Sequence, residues 1–352
     1  MDIFRRIFGR ATPGDLPRPA SIAQDAGWIT EDLEPIAEPG GFLPRIERTG
    51  FIRRRVARVF SPFSRLTVGL TYEGGVLRIL VCDGQRIVSW DAIPFDPRLV
   101  SGALVVEPYN LGRFIHEAFD RRALPRGRVH CAVPAVGVIS RVIDIPHQNG
   151  RERRRNIKAE AMRALGVSPG RYFVYGHLLE ESDEATVVFV LAVPRETIRS
   201  IADTMRAAGI APRTVDLAPL ALARGVGQSD AIILRLDPMG VDMVAVLDDV
   251  PLIVRSIAFG EQSLTLEEAQ DAAIDLMSTE LRRYEDIYSG SKINRTVPVY
   301  LAGDLAGGLR LVDRIRTLTG HPLGRIAPLI DYPVDLPMTD YLVNIGLALK
   351  DQ

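Results

Sequence analysis

The chain contains the stretch TVGLTYEGGVLRILVCDGQRIVSWDAI at residues 67–93, in which apolar runs are separated by two tight turns. The second turn is Asp83-Gly84, and Asp-Gly between alternating apolar runs is a strong hairpin signal. Residues 231–259, AIILRLDPMGVDMVAVLDDVPLIVRSIAF, repeat the order of strand, turn, strand, turn and strand. The sequence therefore predicts an internal duplication built on two β-hairpin units.

The two stretches align when Gly75 is placed on Gly240. Similar residues then coincide at further positions: Val68 with Ile233, Val76 with Val241, Ile79 with Val244, Val81 with Val246, and Asp83 with Asp248. Apolar periodicity predicts helices over residues 110–122, 151–165, 196–208, 263–288 and 308–319, and a final helix near the C-terminus. Strands alternate with these helices, which is typical of an α/β fold.

Composition excludes several classes of protein. The 352 residues carry a formal net charge of -1, which argues against a nucleic-acid partner. Cys82 and Cys131 are isolated and the five histidines are scattered, so we expect no disulfide framework and no metal site, and a reducing cytoplasm fits best. The longest apolar run, residues 185–193, is far shorter than the ~20 residues of a membrane span. Arginines interrupt the first apolar patch, so no secretory signal is expected.

Two hairpin units that open two α/β halves resemble the plan of the actin, Hsp70 and sugar-kinase ATPases. The stretches CAVPAVGVISRVIDIP, residues 131–146, and VVFVLAVPRETIRSIADTMRAAGIAPRTVDLAPLALARG, residues 187–225, resemble the inserted subdomain of the PilM family of type IV pilus assembly proteins, which is similar to FtsA. The closing YLVNIGLALK, residues 341–350, also resembles that family. The resemblance covers about residues 65–350.

The resemblance implies a duplicated actin-like, ribonuclease H-like fold with an inserted subdomain. We expect the first half of actin-like domain 1 at residues 65–125, the partner-binding insertion at 126–214, the return to domain 1 at 215–230, domain 2 at 231–329, and a closing segment with the C-terminal helix at 330–352. Residues 1–64 lie outside the resemblance as a Pro-rich tail that we expect to be partly disordered.

The phosphate-binding turns of this family are degenerate here. The first turn in the family resembles G-L-D-I-G-S-S-S-x-K, whereas residues 69–78 read GLTYEGGVLR, with Thr71 at the Asp position, Glu73 at a Gly position and Arg78 in place of Lys. The second turn resembles D-I-G-x-x-x-T-D, whereas residues 235–242 read RLDPMGVD. There Arg235 replaces the Asp and Pro238 removes an N–H donor, while Asp242 keeps its place. The adenosine turn, residues 302–308, is shortened.

We therefore expect no catalytic residue, no cofactor and at most a weak ATPase. Glu73 and Asp237 bring negative charge towards the phosphate position, which opposes nucleotide binding. The alternative is that Arg78, Arg235 and the remaining glycines hold ATP without hydrolysing it. The remnants of the site are Gly74, Gly75, Arg78, Gly240, Asp242 and Gly303.

Basic amphipathic segments lie at both ends of the tail. In MDIFRRIFGR, residues 1–10, Phe4, Ile7 and Phe8 share a helical face opposite Arg5 and Arg6, which favours contact with an anionic membrane or with a partner protein. Residues 51–65, FIRRRVARVFSPFSR, interleave arginines with apolar side chains. This segment fits a membrane surface and the body of its own protein equally well.

Three functions compete. The resemblance implies a cytoplasmic scaffold at the inner membrane that binds the N-terminal segment of a PilN-like membrane protein. The second is an actin-like protein that switches or polymerises with ATP, and homo-oligomer formation stays open. The third is the cytoplasmic part of a GspL-like type II secretion protein, which ranks last because we expect a membrane span after such a fold and this sequence ends at Gln352.

Overall fold

A computed structural model describes residues 66–146, 152–181, 185–238, 240–259, 265–287, 293–306 and 309–351. The predicted membrane contacts Phe4, Arg5, Arg6, Ile7 and Phe8 and the segment 51–65 lie outside these residues. None of the helices in the described ranges combines the length and apolar character that a bilayer span requires.

The first half is built on a five-stranded sheet with the order β10-β6-β1-β2-β3. Strands β1, β2 and β3 are antiparallel neighbours, and β6 and β10 extend the sheet in parallel from β1. Its elements are β1 (Leu66–Glu73), β2 (Val76–Asp83), β3 (Arg86–Pro94), a small ladder of β4 (Val100–Ser101) and β5 (Leu104–Val105), α1 (Pro108–Arg122), β6 (Val129–Val133), β10 (Thr214–Leu217) and α4 (Ala218–Val226).

A separate three-stranded sheet with the order β7-β9-β8 is inserted between β6 and β10. It consists of β7 (Ile139–Pro146), α2 (Glu152–Leu165), β8 (Tyr172–Glu181) and β9 (Ala185–Pro194), and α3 (Arg195–Ala207) leads back to the main sheet. The predicted insertion, 126–214, also included β6, but β6 pairs with β1 in the main sheet. The inserted unit, which is the small sheet with its helix, therefore spans residues 139–194, a shorter range than the predicted one.

The second half repeats the plan with a four-stranded sheet of order β13-β12-β11-β14. Its elements are β11 (Ala231–Asp237), β12 (Gly240–Leu247), β13 (Val250–Ala258), α5 (Leu266–Ile287), β14 (Val299–Ala302) and α6 (Leu309–Thr319). The last helix, α7 (Met338–Ala348), returns to the first half and packs on α4, β1 and β2. One apolar core spans the first half, the insertion and one face of the second-half sheet, and another lies between the opposite face of that sheet and α5 and α6. Further clusters lie under α7 and under the small sheet.

Strand pairing corrects the predicted alignment of the repeat by one position. Glu73 pairs with Val76 at the first turn and Asp237 pairs with Gly240 at the second, so Val76 and not Gly75 is equivalent to Gly240. The register shifts that follow Val81 and Ala245 obey the same corrected alignment. Sequence similarity alone had favoured the alignment that superimposes the two glycines. A slip of one residue exchanges the two faces of a strand, so the correction changes which side chains are equivalent.

Two short helices, α4 and α7, cross at very close range where the chain passes between the halves. A Cβ atom on Gly346 would lie 1.7 Å from the carbonyl oxygen of Ala221, and one on Gly225 would lie 2.2 Å from that of Leu342. Only glycine allows the two backbones to approach this closely. Asn344 on α7 is fully buried and donates through Nδ2 to the carbonyls of Gly69 and Arg78, both at 3.1 Å. The closing helix is therefore fastened to both strands of the first hairpin.

Candidate functional site

The two hairpin turns face one another across a cleft between the halves. Gly74 and Gly75 form a two-residue turn with φ values of 60° and 72°, a conformation that glycine adopts without steric cost. On the other side, a Cβ on Gly240 would lie 2.4 Å from the carbonyl oxygen of Ile257, so glycine is required there for β13 to approach. Between the turns lies a cavity of about 130 Å³.

All six residues predicted as remnants of a nucleotide site lie at this cleft. Gly74, Gly75, Arg78, Gly240 and Asp242 line the main cavity. Gly303 lines a smaller recess beside it, which shares Arg78 with the main cavity. The geometry thus brings together side chains from both halves, and whether they hold a nucleotide stays a prediction.

Arg235 is the centre of an ion cluster in the cleft. Its guanidinium contacts the Glu73 carboxylate from the opposite half, lies 2.6 Å from Asp237 Oδ2, and lies 3.3 Å from Asp242 Oδ2. Arg235 is 7% exposed, so this cation sits among three carboxylates with little water. Ser256 Oγ donates a hydrogen bond to Asp242 and satisfies part of that carboxylate.

A second ion pair also crosses the cleft. Arg78 on β2 lies 3.3 Å from Asp304, which follows β14 in the other half. The backbone N–H of Asp304 donates to Asp237 Oδ1 at 3.4 Å and links this pair to the Arg235 cluster. Arg78 and Arg235 are the cationic side chains among the described residues that line the cavity, and each is already paired with carboxylates.

Burial dominates the acid–base properties of the cluster. It raises the pKa of Asp242, although Arg235 and the Ser256 hydroxyl oppose the rise. Burial also raises the pKa of Asp304, against the effect of Arg78 and with that of nearby Asp237. Burial alone would lower the pKa of Arg235, but Asp237 and Asp242 more than offset it and hold this pKa above its ordinary value. The guanidinium is therefore permanently charged, and the carboxylates share it.

The corrected alignment of the repeat relates the charges of the two halves. Thr71 corresponds to Arg235 and Arg78 to Asp242, and in each half these two positions pair directly across the hairpin. The hydroxyl of Thr71 is buried and donates to Asn344 Oδ1 at 3.3 Å, so it faces the closing helix. One arginine from each half thus bridges the cleft and contacts a carboxylate of the opposite half.

Sequence reasoning identified these residues one by one and missed their pairing. It treated Glu73 and Asp237 as free negative charges and Arg235 as a candidate phosphate ligand. One local signal was available, because Arg235 and Asp237 are two residues apart on one strand and share a face. The contacts of Glu73 and Asp304 across the cleft depend on how the halves meet, which no local pattern encodes. Within the described ranges, no group of three or more His, Cys, Asp and Glu side chains is placed to hold a metal ion.

Comparison with known proteins identifies the fold. No protein-family model matches the sequence, and no curated protein matches it. Among solved structures, the PilM-PilN type IV pilus biogenesis complex matches with 20% identity and a TM-score of 0.66, over 81% of this chain and 98% of that chain.

Two further structures match more distantly. The ethanolamine utilization protein EutJ from Carboxydothermus hydrogenoformans has 14% identity and a TM-score of 0.46 over 81% of this chain and 89% of its own. The cytoplasmic domain of EpsL, an inner-membrane component of the Vibrio cholerae type II secretion system, has 13% identity and a TM-score of 0.47 over 82% and 95%. The match to the PilM-PilN structure confirms the fold predicted from the duplicated hairpins: this chain has the actin-like ATPase fold.

Proposed function

We propose that this chain is a non-catalytic, actin-like scaffold of a type IV pilus or related secretion machine, at the cytoplasmic side of the inner membrane. The observation that carries the proposal is the pair of ion contacts across the cleft, Glu73 with Arg235 and Arg78 with Asp304. Side chains of the chain itself connect the two halves at the position where this fold places phosphates. The likeness to the PilM-PilN complex supports the choice of machine.

Size and charge both support a cleft that does not turn over ATP. A cavity of about 130 Å³ is below the roughly 300–1,000 Å³ of pockets that bury small-molecule ligands. Phosphate binding also needs free cations and N–H donors, and here both arginines are engaged by carboxylates. A triphosphate would have to displace those carboxylates and then lie beside them.

Titration with Mg-ATP tests this part of the proposal. We expect no heat of binding at millimolar nucleotide and no rise in the unfolding temperature. A ligand at 100 times its Kd would add about 2.7 kcal/mol to stability, which a melting curve detects easily. A titration with Mg²⁺ alone is the control for metal effects. A micromolar Kd with slow hydrolysis would establish the switching ATPase instead.

The proposed partner is the cytoplasmic N-terminal segment of a PilN-like membrane protein, bound at the inserted sheet. The insertion and the second half enclose a recess of about 140 Å³ between β7, α2, β13 and α5. Ser140 on β7 donates to the carbonyl of Val254 on β13 at 3.4 Å, so the two sheets meet at this recess. A short segment buries little area, and a few apolar anchors must therefore supply most of its affinity.

Co-expression tests the partner. We expect this chain to co-purify with the N-terminal peptide of the membrane protein encoded beside it, at low and at high salt, because apolar anchors are insensitive to screening. The matched control is the same peptide with its apolar residues replaced by serine, which should be lost. If the native peptide fails to co-purify at every salt concentration, the scaffold role at this machine is wrong.

Membrane contact through residues 1–10 is a separate part of the proposal. Replacing Arg5, Arg6 and Arg10 with Glu should reduce binding to anionic liposomes, because each basic residue near such a surface contributes about 1 kcal/mol. Wild-type binding should weaken as salt is raised. Sedimentation with neutral and anionic liposomes measures both effects. If the wild type does not bind anionic liposomes, these residues have another role.

A further inference from the structure

The cleft combines apolar walls with a charged floor. The first half contributes Val100, Pro134 and Val136 to the walls, and the second half contributes Ile257 and Phe259. Ile257 lies on the edge strand β13 and is 46% exposed, so one wall is open to an incoming group. Apolar surface of this kind attracts apolar side chains of a ligand.

The floor carries an excess of negative charge. Four carboxylates, those of Glu73, Asp237, Asp242 and Asp304, surround the two guanidinium groups of Arg78 and Arg235. Asp304 has the most exposed side chain of the four, at 38%. A cation that enters the cleft can therefore contact the accessible carboxylate of Asp304, whose charge is only partly neutralised by Arg78. The complementary ligand is an apolar segment that carries a basic side chain.

The size of the cavity restricts this ligand further. A volume of about 130 Å³ accepts one or two side chains rather than a folded element. An extended peptide can present such side chains singly while its backbone stays at the mouth of the cleft. The floor and walls together thus fit a short peptide with alternating basic and apolar residues.

Residues 51–58 of this chain, FIRRRVAR, have this composition. Strand β1 begins at Leu66 and ends at Glu73 in the cleft, so the tail enters the sheet about 25 Å from the cavity. An extended chain covers about 3.3–3.6 Å per residue, so roughly eight residues before Leu66 are needed to return to the level of Glu73. Those residues are 58–65, and the stretch that arrives at the cleft is 51–58.

We infer that residues 51–58 are an intramolecular ligand of the cleft, with arginines at the carboxylate floor and apolar side chains against the walls. A segment tethered this close experiences an effective concentration of about millimolar. The tail then occupies the position at which this fold binds nucleotide. Binding of the tail involves only the cleft, so it can be tested independently of the PilN-like partner.

Competition between the tethered and the free segment tests the inference. A fluorescent peptide of residues 51–58 is titrated into the full chain and into a full-length variant with Arg53→Glu, Arg54→Glu and Arg55→Glu, and anisotropy is measured. We expect the variant to bind the peptide 10–100-fold tighter, because its own tail no longer competes. Adding Ile257→Arg to this variant should reduce peptide affinity at least tenfold, since it places a cation and bulk on the wall.

Val334→Arg is the matched control. Val334 is fully exposed and does not line the cavity, so the same change there should leave peptide affinity unaltered. Thermal unfolding of every variant verifies that the fold is intact. Equal peptide affinity of the wild type and the tail variant, or an equal loss from Val334→Arg and Ile257→Arg, would overturn the inference.

A membrane surface is the competing ligand for residues 51–58, and vesicles containing phosphatidylglycerol distinguish the two. If the tail occupies the cleft, Ile257→Arg in the otherwise wild-type chain releases it, and vesicle binding should increase. If Ile257→Arg leaves vesicle binding unchanged while the Arg53–Arg55 substitutions abolish it, the segment binds the membrane and the inference is wrong.

Discussion

Replacing Arg235 with Ala should lower the free energy of unfolding by about 3–5 kcal/mol, the usual cost of removing one partner from a buried ion cluster. Three carboxylates, those of Glu73, Asp237 and Asp242, would then lie together without a cation and with little water. A change of this size lowers the unfolding temperature by roughly 4–7 °C in a protein of this length. Thermal and urea unfolding measure both quantities.

The loss should depend on pH in a defined direction. Burial raises the folded-state pKa of Asp242 above its unfolded value, so the folded state binds a proton more readily than the unfolded state. Protonation of such a group favours folding as the pH falls through its folded-state pKa. Without Arg235 this pKa should rise further, so the difference between variant and wild type should be smaller at pH 5 than at pH 8.

Arg98→Ala is the matched control, because it removes an arginine from an ion pair that is exposed instead of buried. Arg98 contacts Asp96 at 2.6 Å, but its side chain is 89% exposed, so water replaces the lost contact. We expect no measurable shift in its unfolding temperature. If Arg235→Ala is equally silent, the cluster does not hold the halves together, and the principal support for the scaffold proposal is lost.

Replacing Gly346 with Ala should be at least as damaging. In a helix this change normally stabilises by about 1 kcal/mol, because alanine has the higher helix propensity. Here the added Cβ would lie 1.7 Å from the carbonyl oxygen of Ala221, and backbone on both helices must move to avoid it. We therefore expect the opposite sign, with a loss of about 3 kcal/mol or more, as for severe overpacking of a core.

Gly127→Ala provides the comparison, because a Cβ at Gly127 meets nothing within 4 Å. Its unfolding midpoint in urea should match that of the wild type, whereas Gly346→Ala should unfold at a much lower urea concentration or accumulate as insoluble protein. A stabilised Gly346→Ala variant would mean that α4 and α7 do not cross this closely in solution.

Local patterns in the sequence were sufficient for most of the fold. The two hairpins follow from alternating apolar residues and turn chemistry, and the predicted helices agree with the structure to within three residues at each described end. The alignment of the repeat was wrong by one residue, because the second turn lies between the paired residues Asp237 and Gly240, whereas the first turn lies between Glu73 and Val76. An alignment by residue type superimposes Gly75 on Gly240, whereas an alignment by strand hydrogen bonding superimposes the residues that close the two turns.

The candidate site was only partly predictable. Each half contributes its own turn, so the positions of Gly75, Arg78 and Asp242 could be read from the resemblance. The partner of each charge could not, because Glu73 and Arg235 are 162 residues apart and meet only when the halves are assembled. The same is true of Arg78 and Asp304, which are 226 residues apart.

The shared ion cluster also restricts how this protein can change by mutation. The turns of the resembled family carry an acid at the position of Arg235 and a glycine at that of Glu73, and substitutions towards that pattern lie in different halves. If Arg235 changes first, three buried carboxylates lose their cation; if Glu73 changes first, the contact between the halves is lost and the floor remains acidic. Each single step passes through a less stable protein, so epistasis between the two sides of the cleft restricts the replacement of either residue alone.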